Sequence, residues 1–241
     1  MRSDERVLIL QTEEVGSDTC EALAGEGFRP DLLSPLAPRY ERAPLEEDGP
    51  FDLLVLGSIH GWRGLLSRGF ATPHAGLCVA VGARTARRVE AEAGPALTET
   101  VRAPKRELSE GILEMLGDVR GLRVLVPRSP SGRGILVDAL REGGAEVYAP
   151  ITYRMVAQPS ADAAARFDAA DSVIVGSGQI LNAFLDQCPE AQALWPSKHV
   201  VGIGPVAAGA AQARGVKVDV VADRPDPVSL AKAIRKSEGG G

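Results

Sequence analysis

Two short turns carry the residues best suited to holding an anion. Gly57-Ser58 follows the apolar run LLVL, and Gly176-Ser177, continued by Gly178, follows VIV; each precedes a helical stretch. A serine in that position can cap the helix with its hydroxyl, and the backbone N–H groups of the first turn can hold a negative group. The two roles are compatible. Neither turn has the G-x-S-x-G spacing of a nucleophile elbow. A third turn, GIGPVAAG from Gly202 to Gly209, has the spacing Gly202-x-Gly204-x-x-Ala207 of a dinucleotide fingerprint. Its counterpart VGARTA lacks the first glycine and the helix after it is short, which favours a tight strand-to-helix turn where only small residues fit.

Arginines recur along the same presumed ligand edge: Arg63, Arg84, Arg87, Arg88, Arg128, Arg133 and Arg154. Guanidinium groups suit bidentate recognition of carboxylates, although most surface charges are merely solvated. Arg128 and Arg133, which flank Gly132 in the turn RSPSGRG, are the stronger candidates. No Gly-Lys-Ser/Thr follows, so the turn is not a Walker loop. His60, His74 and His199 have no metal-ligand spacing. His60 follows a Gly-Ser turn and can move protons, but no carboxylate lies at readable spacing, which favours a plain turn histidine. Tyr153 lies in a linker, where a phenol can hydrogen-bond or protonate a leaving hydroxyl; packing within the linker is the simpler reading.

The elements that must position these residues come in two copies. RVLILQTEE from Arg6 is echoed by RVLVPRSPS from Arg123, and CEALAGEGFRP from Cys20 by VDALREGGAEV from Val137. FDLLVLGSIHGWRGLL from Phe51 matches ADSVIVGSGQILNAFL from Ala170, and LCVAVGARTARRV from Leu77 matches HVVGIGPVAAGAA from His199. LSEGILEML from Leu108 resembles LAKAIRKSE from Leu230. All five matches keep one order, so two similar halves are expected. In each half short apolar runs (VLIL, LLVL, CVAV, then VLV, VIV and VVGI) read as buried strands followed by helices. RGILVDALREGGA places Ile135, Leu136, Ala139 and Leu140 at helical spacing, with Gly143 and Gly144 as its stop. The alternation predicts two doubly wound parallel-sheet α/β units, with ligands beyond the carboxyl ends of the strands. Two proline-rich stretches, 34–50 and 148–160, break the alternation and read as linkers or crossings.

Composition narrows the function classes. The 241 residues carry a formal charge of -5 and only 4% aromatics, which argues against nucleic acid as the main partner. A local arginine cluster can still bind an acidic small molecule. Cys20, Cys78 and Cys188 are odd in number and widely spaced, as in a reducing compartment. MRSDERVLILQTEE has an apolar run of four, too short for a secretory signal, and no run approaches the ~20 residues of a membrane helix. A cytoplasmic protein is expected.

The order VGARTA (81–86), RVLVPRSPSGRGILVDALREGGAEVYAPITYR (123–154), a strand with its Gly-Ser turn, and VGIGPVAAGAAQARG (201–215) resembles the uroporphyrinogen-III synthase family nearly end to end. The resemblance implies two α/β domains joined by a two-stranded ladder. One domain is discontinuous, 1–35 with 155–241, and the other is inserted, 36–154, with a linear tetrapyrrole held between them. It implies a reaction without metal or organic cofactor: hydroxymethylbilane loses water to give an azafulvene, and the terminal pyrrole is attacked through a spiro intermediate and inverted as the ring closes. It implies Tyr153 as the catalytic acid and Thr85 as a substrate contact. Backbone N–H groups of the Gly-Ser turns (Ser58, Ser177, Gly178) and the Gly-Pro turn (Gly204, Pro205, Val206), with Arg128, Gly132 and Arg133, would hold the carboxylates. The expected partners are the bilane and, transiently, the preceding pathway enzyme; the expected state is a monomer, with no nucleic acid and no membrane. The chain departs from the family at Gly57 and Gly176, where threonine is usual, at Leu10-Gln11-Thr12 for Thr-Arg-Pro, and at Val206 and Ala207 for threonines. These last two leave room for a non-catalytic two-lobed binding module of the same fold.

Overall fold

The computed structural model describes residues 4–46, 49–70, 75–93, 101–104, 109–132 and 134–236. They divide into two compact units, Met1–Ala37 with Val156–Gly241 (unit 1) and Pro38–Met155 (unit 2). Unit 1 opens with β1 (Arg6–Leu10), α1 (Glu13–Gly25) and β2 (Arg29–Leu33), and β3 (Leu36–Tyr40) leads into unit 2. Unit 2 continues with β4 (Phe51–Leu56), α2 (Ile59–Leu66), β5 (Ala75–Ala80), α3 (Ala83–Ala93), β6 (Val101–Arg102) and α4 (Ser109–Leu116). It closes with β7 (Arg123–Leu125), α5 (Ile135–Glu142) and β8 (Glu146–Tyr148), before β9 (Tyr153–Ala157) leads back. Unit 1 then adds α6 (Ala163–Ala169), β10 (Ser172–Val175), α7 (Gly178–Gln187), β11 (His199–Gly202), α8 (Pro205–Ala213), β12 (Val220–Val221) and α9 (Pro227–Lys236).

Each unit holds a five-stranded sheet, ordered β12-β11-β10-β1-β2 in unit 1 and β6-β5-β4-β7-β8 in unit 2; β3 and β9 form a separate two-stranded sheet. All pairings within the two large sheets are parallel. Read through the duplicated segments, the two orders are the same. The sheets are buried on both faces. In unit 1, Val7 and Ile9 join Leu23 of α1 and Leu230 and Ile234 of α9 in one core. The alternate residues Leu8 and Leu10 are fully buried on the opposite face. There Phe167 of α6 packs its ring 4.7 Å from Trp195 and 5.2 Å from Phe184 of α7. In unit 2, Leu54 and Leu56 meet Trp62 and Leu65 of α2, while Leu53 and Val55 meet Ile112 of α4 and Leu140 of α5. Burying each such side chain contributes about 1.5–3 kcal/mol before entropy is subtracted.

The helix α5 begins at Ile135, and that residue is 53% exposed; Leu136, Val137 and Leu140 form the buried face instead. The spacing was right for a helix but set its inward face one step too early. Gly144 has φ 86°, a left-handed conformation that glycine adopts without strain, and it ends the helix. No described helix is long and apolar enough to cross a membrane.

Candidate functional site

In each sheet the strand order reverses direction beside a central strand, between β1 and β10 and between β7 and β4. Crevices outside the carboxyl ends of the strands at such switch points are the usual ligand sites of open α/β sheets. Gly57-Ser58 lies there in unit 2 and Gly176-Ser177 in unit 1. Ser58 caps α2 by accepting the Gly61 N–H at 3.3 Å, and Ser177 caps α7 by accepting the Ile180 N–H at 3.2 Å.

The unit 2 switch point opens into a cavity of about 240 Å³, lined by Ser58, Val126, Arg128, Gly132, Leu136 and Tyr153 among others. A larger cavity, about 450 Å³, lies in unit 1 against Arg6 and Arg29, at the amino ends of β1 and β2. That is the wrong end of the strands for ligand chemistry, and two of its arginines are committed, Arg29 to Asp4 and Arg166 to Asp31. We therefore take the smaller cavity as the site.

Backbone packing brings its parts together. The segment after β8 runs parallel to the segment after β7: Arg128 N–H donates to Pro150 O and Thr152 N–H to Arg128 O, both at 3.0 Å. This carries Tyr153, half-buried at the start of β9, to the cavity wall. The helix α2 approaches the same segment through its glycines. A Cβ at Gly64 would stand 2.6 Å from Thr152 O, and one at Gly61 would stand 2.9 Å from Pro127 O. The outcome is a contact between residues distant in sequence: Ser58 Oγ lies 3.1 Å from Tyr153 Oη.

Among the described residues, Arg128 is the one charged side chain that lines the cavity. Its guanidinium donates to Gly132 O at 2.6 Å and more weakly to Ser129 O at 3.3 Å, so it braces the turn while carrying the positive charge of the wall. Arg133 lies outside the described residues. Thr85 is in the first turn of α3 and does not line the cavity. In unit 1, Gly178 is the first residue of α7 and packs against α8, where an added Cβ would meet Ala210 Cβ at 2.5 Å. Gly204 precedes α8 with open space around it, Pro205 begins that helix, and Val206 is 77% exposed. The structure thus joins Ser58, Arg128, Gly132 and Tyr153 around one cavity; Thr85 and the five unit 1 positions stand elsewhere.

His60 has more company than a plain turn histidine. It is 7% exposed, its Nδ1 lies 3.0 Å from Tyr40 Oη, and its ring lies 5.4 Å from the Tyr153 ring. The Arg63 guanidinium is bonded to Glu92 at 2.8 Å; that contact first, with a smaller contribution from the Tyr40 phenol, holds it protonated well above the usual arginine range. Spacing along the chain did not reveal this cluster, because Tyr40 comes from β3 and the partner is a phenol rather than a carboxylate. The glycine pair Gly61 and Gly64 at the start of a helix was the available signal of close packing.

Comparison with known proteins adds a second line of evidence. The model of the family described as uroporphyrinogen-III synthase HemD matches residues 17–232. No curated protein matches significantly. Among solved structures, the chain is similar to a mutant uroporphyrinogen III synthase of Thermus thermophilus, with 21% identity and a TM-score of 0.59 over 98% of this chain and 100% of that one. It is also similar to the uroporphyrinogen-III synthetase of Helicobacter pylori, with 15% identity and a TM-score of 0.68 over 97% and 99%. At such identities the two structures bear on the fold, and both support its two α/β units.

Proposed function

The chain belongs to the uroporphyrinogen-III synthase family, and on that premise we propose that it closes hydroxymethylbilane into uroporphyrinogen III, acting as a cyclising hydro-lyase in tetrapyrrole biosynthesis. The observation that carries the reading is the family match across residues 17–232, which takes in the whole unit 2 sheet, every strand of the unit 1 sheet after β1, and both Gly-Ser turns.

The chemistry of the unit 2 cavity suits the first step. Ser58 Oγ accepts the Gly61 N–H and lies 3.1 Å from Tyr153 Oη; with the serine hydrogen turned to the phenol oxygen, the phenol hydrogen is left for the substrate. Tyr153 then donates that proton to the departing hydroxyl. The C–O bond breaks, water leaves, and the pyrrole nitrogen supplies the electron pair that forms the azafulvene. The substituted carbon of the last ring attacks that electrophile, giving a spiro intermediate that reopens and closes with the ring inverted. The proton lost as the final pyrrole regains aromaticity restores the phenol. Because the bilane also closes unaided to the uninverted isomer, most of the protein's task is orientation.

A cavity of about 240 Å³ holds one end of such a substrate rather than the whole. Arg128 and the Gly132 turn take a carboxylate there, with Arg133 and Thr85 as further contacts of unit 2. In unit 1 the first turns of α7 and α8 supply the N–H groups of Gly178 and Val206, beside Ser177 and Gly204. Pro205 has no N–H, which makes Val206 N–H the first donor of its turn.

The test is the product isomer. With hydroxymethylbilane generated in place, chromatography of the oxidised products should show the type III isomer. Type I alone, at the rate seen without protein, refutes the enzymatic reading and leaves the binding module that Val206 and Ala207 suggest. We further propose a cytoplasmic monomer, in keeping with three unpaired cysteines, of which Cys78 is pushed up to about 12 by burial. Light scattering at twice 25.3 kDa would refute the monomer.

A further inference from the structure

We infer that Tyr40 and His60 are a positioning pair for Tyr153, holding its ring and thereby aiming its hydroxyl at the cavity. The inference rests on Tyr153 being the proton donor and adds two residues to that reading. Arg63 can only donate hydrogen bonds, and its guanidinium, anchored by Glu92 at 2.8 Å, interacts with the Tyr40 phenol, which favours an oxygen that accepts on that side. His60 Nδ1 stands 3.0 Å from Tyr40 Oη, and we assign the phenol as the donor of that bond. An accepting Nδ1 places the ring proton of His60 on Nε2. The positive charge of Arg63 beside the phenol favours Tyr40 as the donor to His60.

The rings carry this arrangement to the cavity. Tyr40 and His60 centroids are 6.2 Å apart and tilted by 44°; His60 and Tyr153 are 5.4 Å apart and tilted by 47°. His60 is 7% exposed, and a ring pinned at Nδ1 within such packing has little rotation left. Tyr153 is therefore held at two points, by the His60 ring on its side and by Ser58 Oγ, 3.1 Å from its hydroxyl. Its hydrogen is confined to the directions that remain, one of them the cavity.

Tyr40→Phe tests this, since it keeps the ring and removes only the oxygen. Type III formation should lose about tenfold in kcat with KM within about twofold, the pattern of lost orientation rather than lost binding. In a Tyr153→Phe background the same change should cost nothing further, because the pair acts through the phenol. Separately, 15N spectra assigned with His60→Gln should show the His60 proton on Nε2, and Tyr40→Phe should shift the Nδ1 resonance. Additive losses in the double variant, or an unchanged kcat in Tyr40→Phe, overturn the positioning role. A ring proton on Nδ1 overturns the hydrogen-bond direction whatever the activity. A wild-type protein that makes only the type I isomer refutes the function proposed above, whereas the spectra still decide the pair.

Discussion

The switch points of the two sheets share a scaffold and differ in what enters from outside it. The capping serines are near copies, Ser58 at φ -161° and ψ 162° and Ser177 at φ -165° and ψ 161°. After β7 comes Arg128, on the cavity wall; after β1 comes Gln11, 3% exposed, with its Oε1 accepting from Thr19 Oγ1 at 2.9 Å. The registers Arg6↔Arg29 and Arg123↔Glu146 align β2 with β8. Carried on in register, Leu36 at the start of β3 stands where Tyr153 starts β9. Leu36 is 8% exposed and packs as core. The repeat supplies capping serines at fixed places, and a phenol reaches the cavity wall from the connecting strand of one copy only.

The sharpest way to break this comparison is Tyr153→Phe. It should slow type III formation by about 10²-fold, the lower range for losing a general acid, with an unchanged melting curve. Leu36→Ala should do the reverse, costing about 2–5 kcal/mol as a core truncation with kcat nearly intact in whatever remains folded. If both variants lose only stability, the asymmetry between the copies is structural and has no chemical meaning.

A smaller effect comes from the two close approaches. Gly64→Ala meets the backbone of Thr152, and Gly178→Ala meets Ala210 Cβ, so each overpacks by about 1–3 kcal/mol in denaturant unfolding. Only Gly64 abuts the residue before Tyr153. Its variant should lose kcat beyond its loss of stability, while Gly178→Ala should not.

Much of the scaffold was legible because its central strands are apolar runs of three to six residues between turns. The edges were not. Val101–Arg102 and Val220–Val221 are too short to show a period, and β2 reads RPDLL, with a proline and an aspartate inside it. The serine caps were legible because Gly-Ser after a strand and before a helix has few other uses. The Ser58–Tyr153 contact spans 95 residues, so its geometry came only with the fold. Tyr153 was singled out by family resemblance, whereas Tyr40 carried no local signal. Resemblance also pointed to Thr85, which the fold leaves off the cavity wall, in a helix turn.

Ser58→Ala and Ser177→Ala form a matched pair for the next test. Each removes one N-cap acceptor and should cost about 1 kcal/mol of stability. Ser58 Oγ also lies 3.1 Å from the Tyr153 hydroxyl, so its variant alone should slow the reaction, by about tenfold if orientation is what is lost. Equal kinetic losses would place the phenol's control elsewhere than Ser58.

Acid separates these hydroxyl caps from a third cap. In unit 1, Asp226 precedes α9; its Oδ1 accepts the Ser229 N–H at 3.0 Å and its Oδ2 accepts the Ser229 hydroxyl at 3.2 Å. The Ser229 N–H is the main reason its carboxyl is held below the usual range; burial opposes it, and the Ser229 hydroxyl and Arg224 add to the lowering. A depressed folded value means the cap stabilises fully above the unfolded carboxylate pKa of about 3.9, and the contribution fades as pH falls through the folded value. The side chain is 38% exposed, so the effect belongs at the low end of capping, about 0.5–1 kcal/mol. Asp226→Ala should cost that much at pH 7 and almost nothing once the wild-type carboxyl is protonated. Ser177→Ala should cost the same at both, because a hydroxyl cap does not titrate. Denaturant unfolding at neutral and acid pH distinguishes the two, and an Asp226→Ala deficit that persists in acid would mean the residue packs rather than caps.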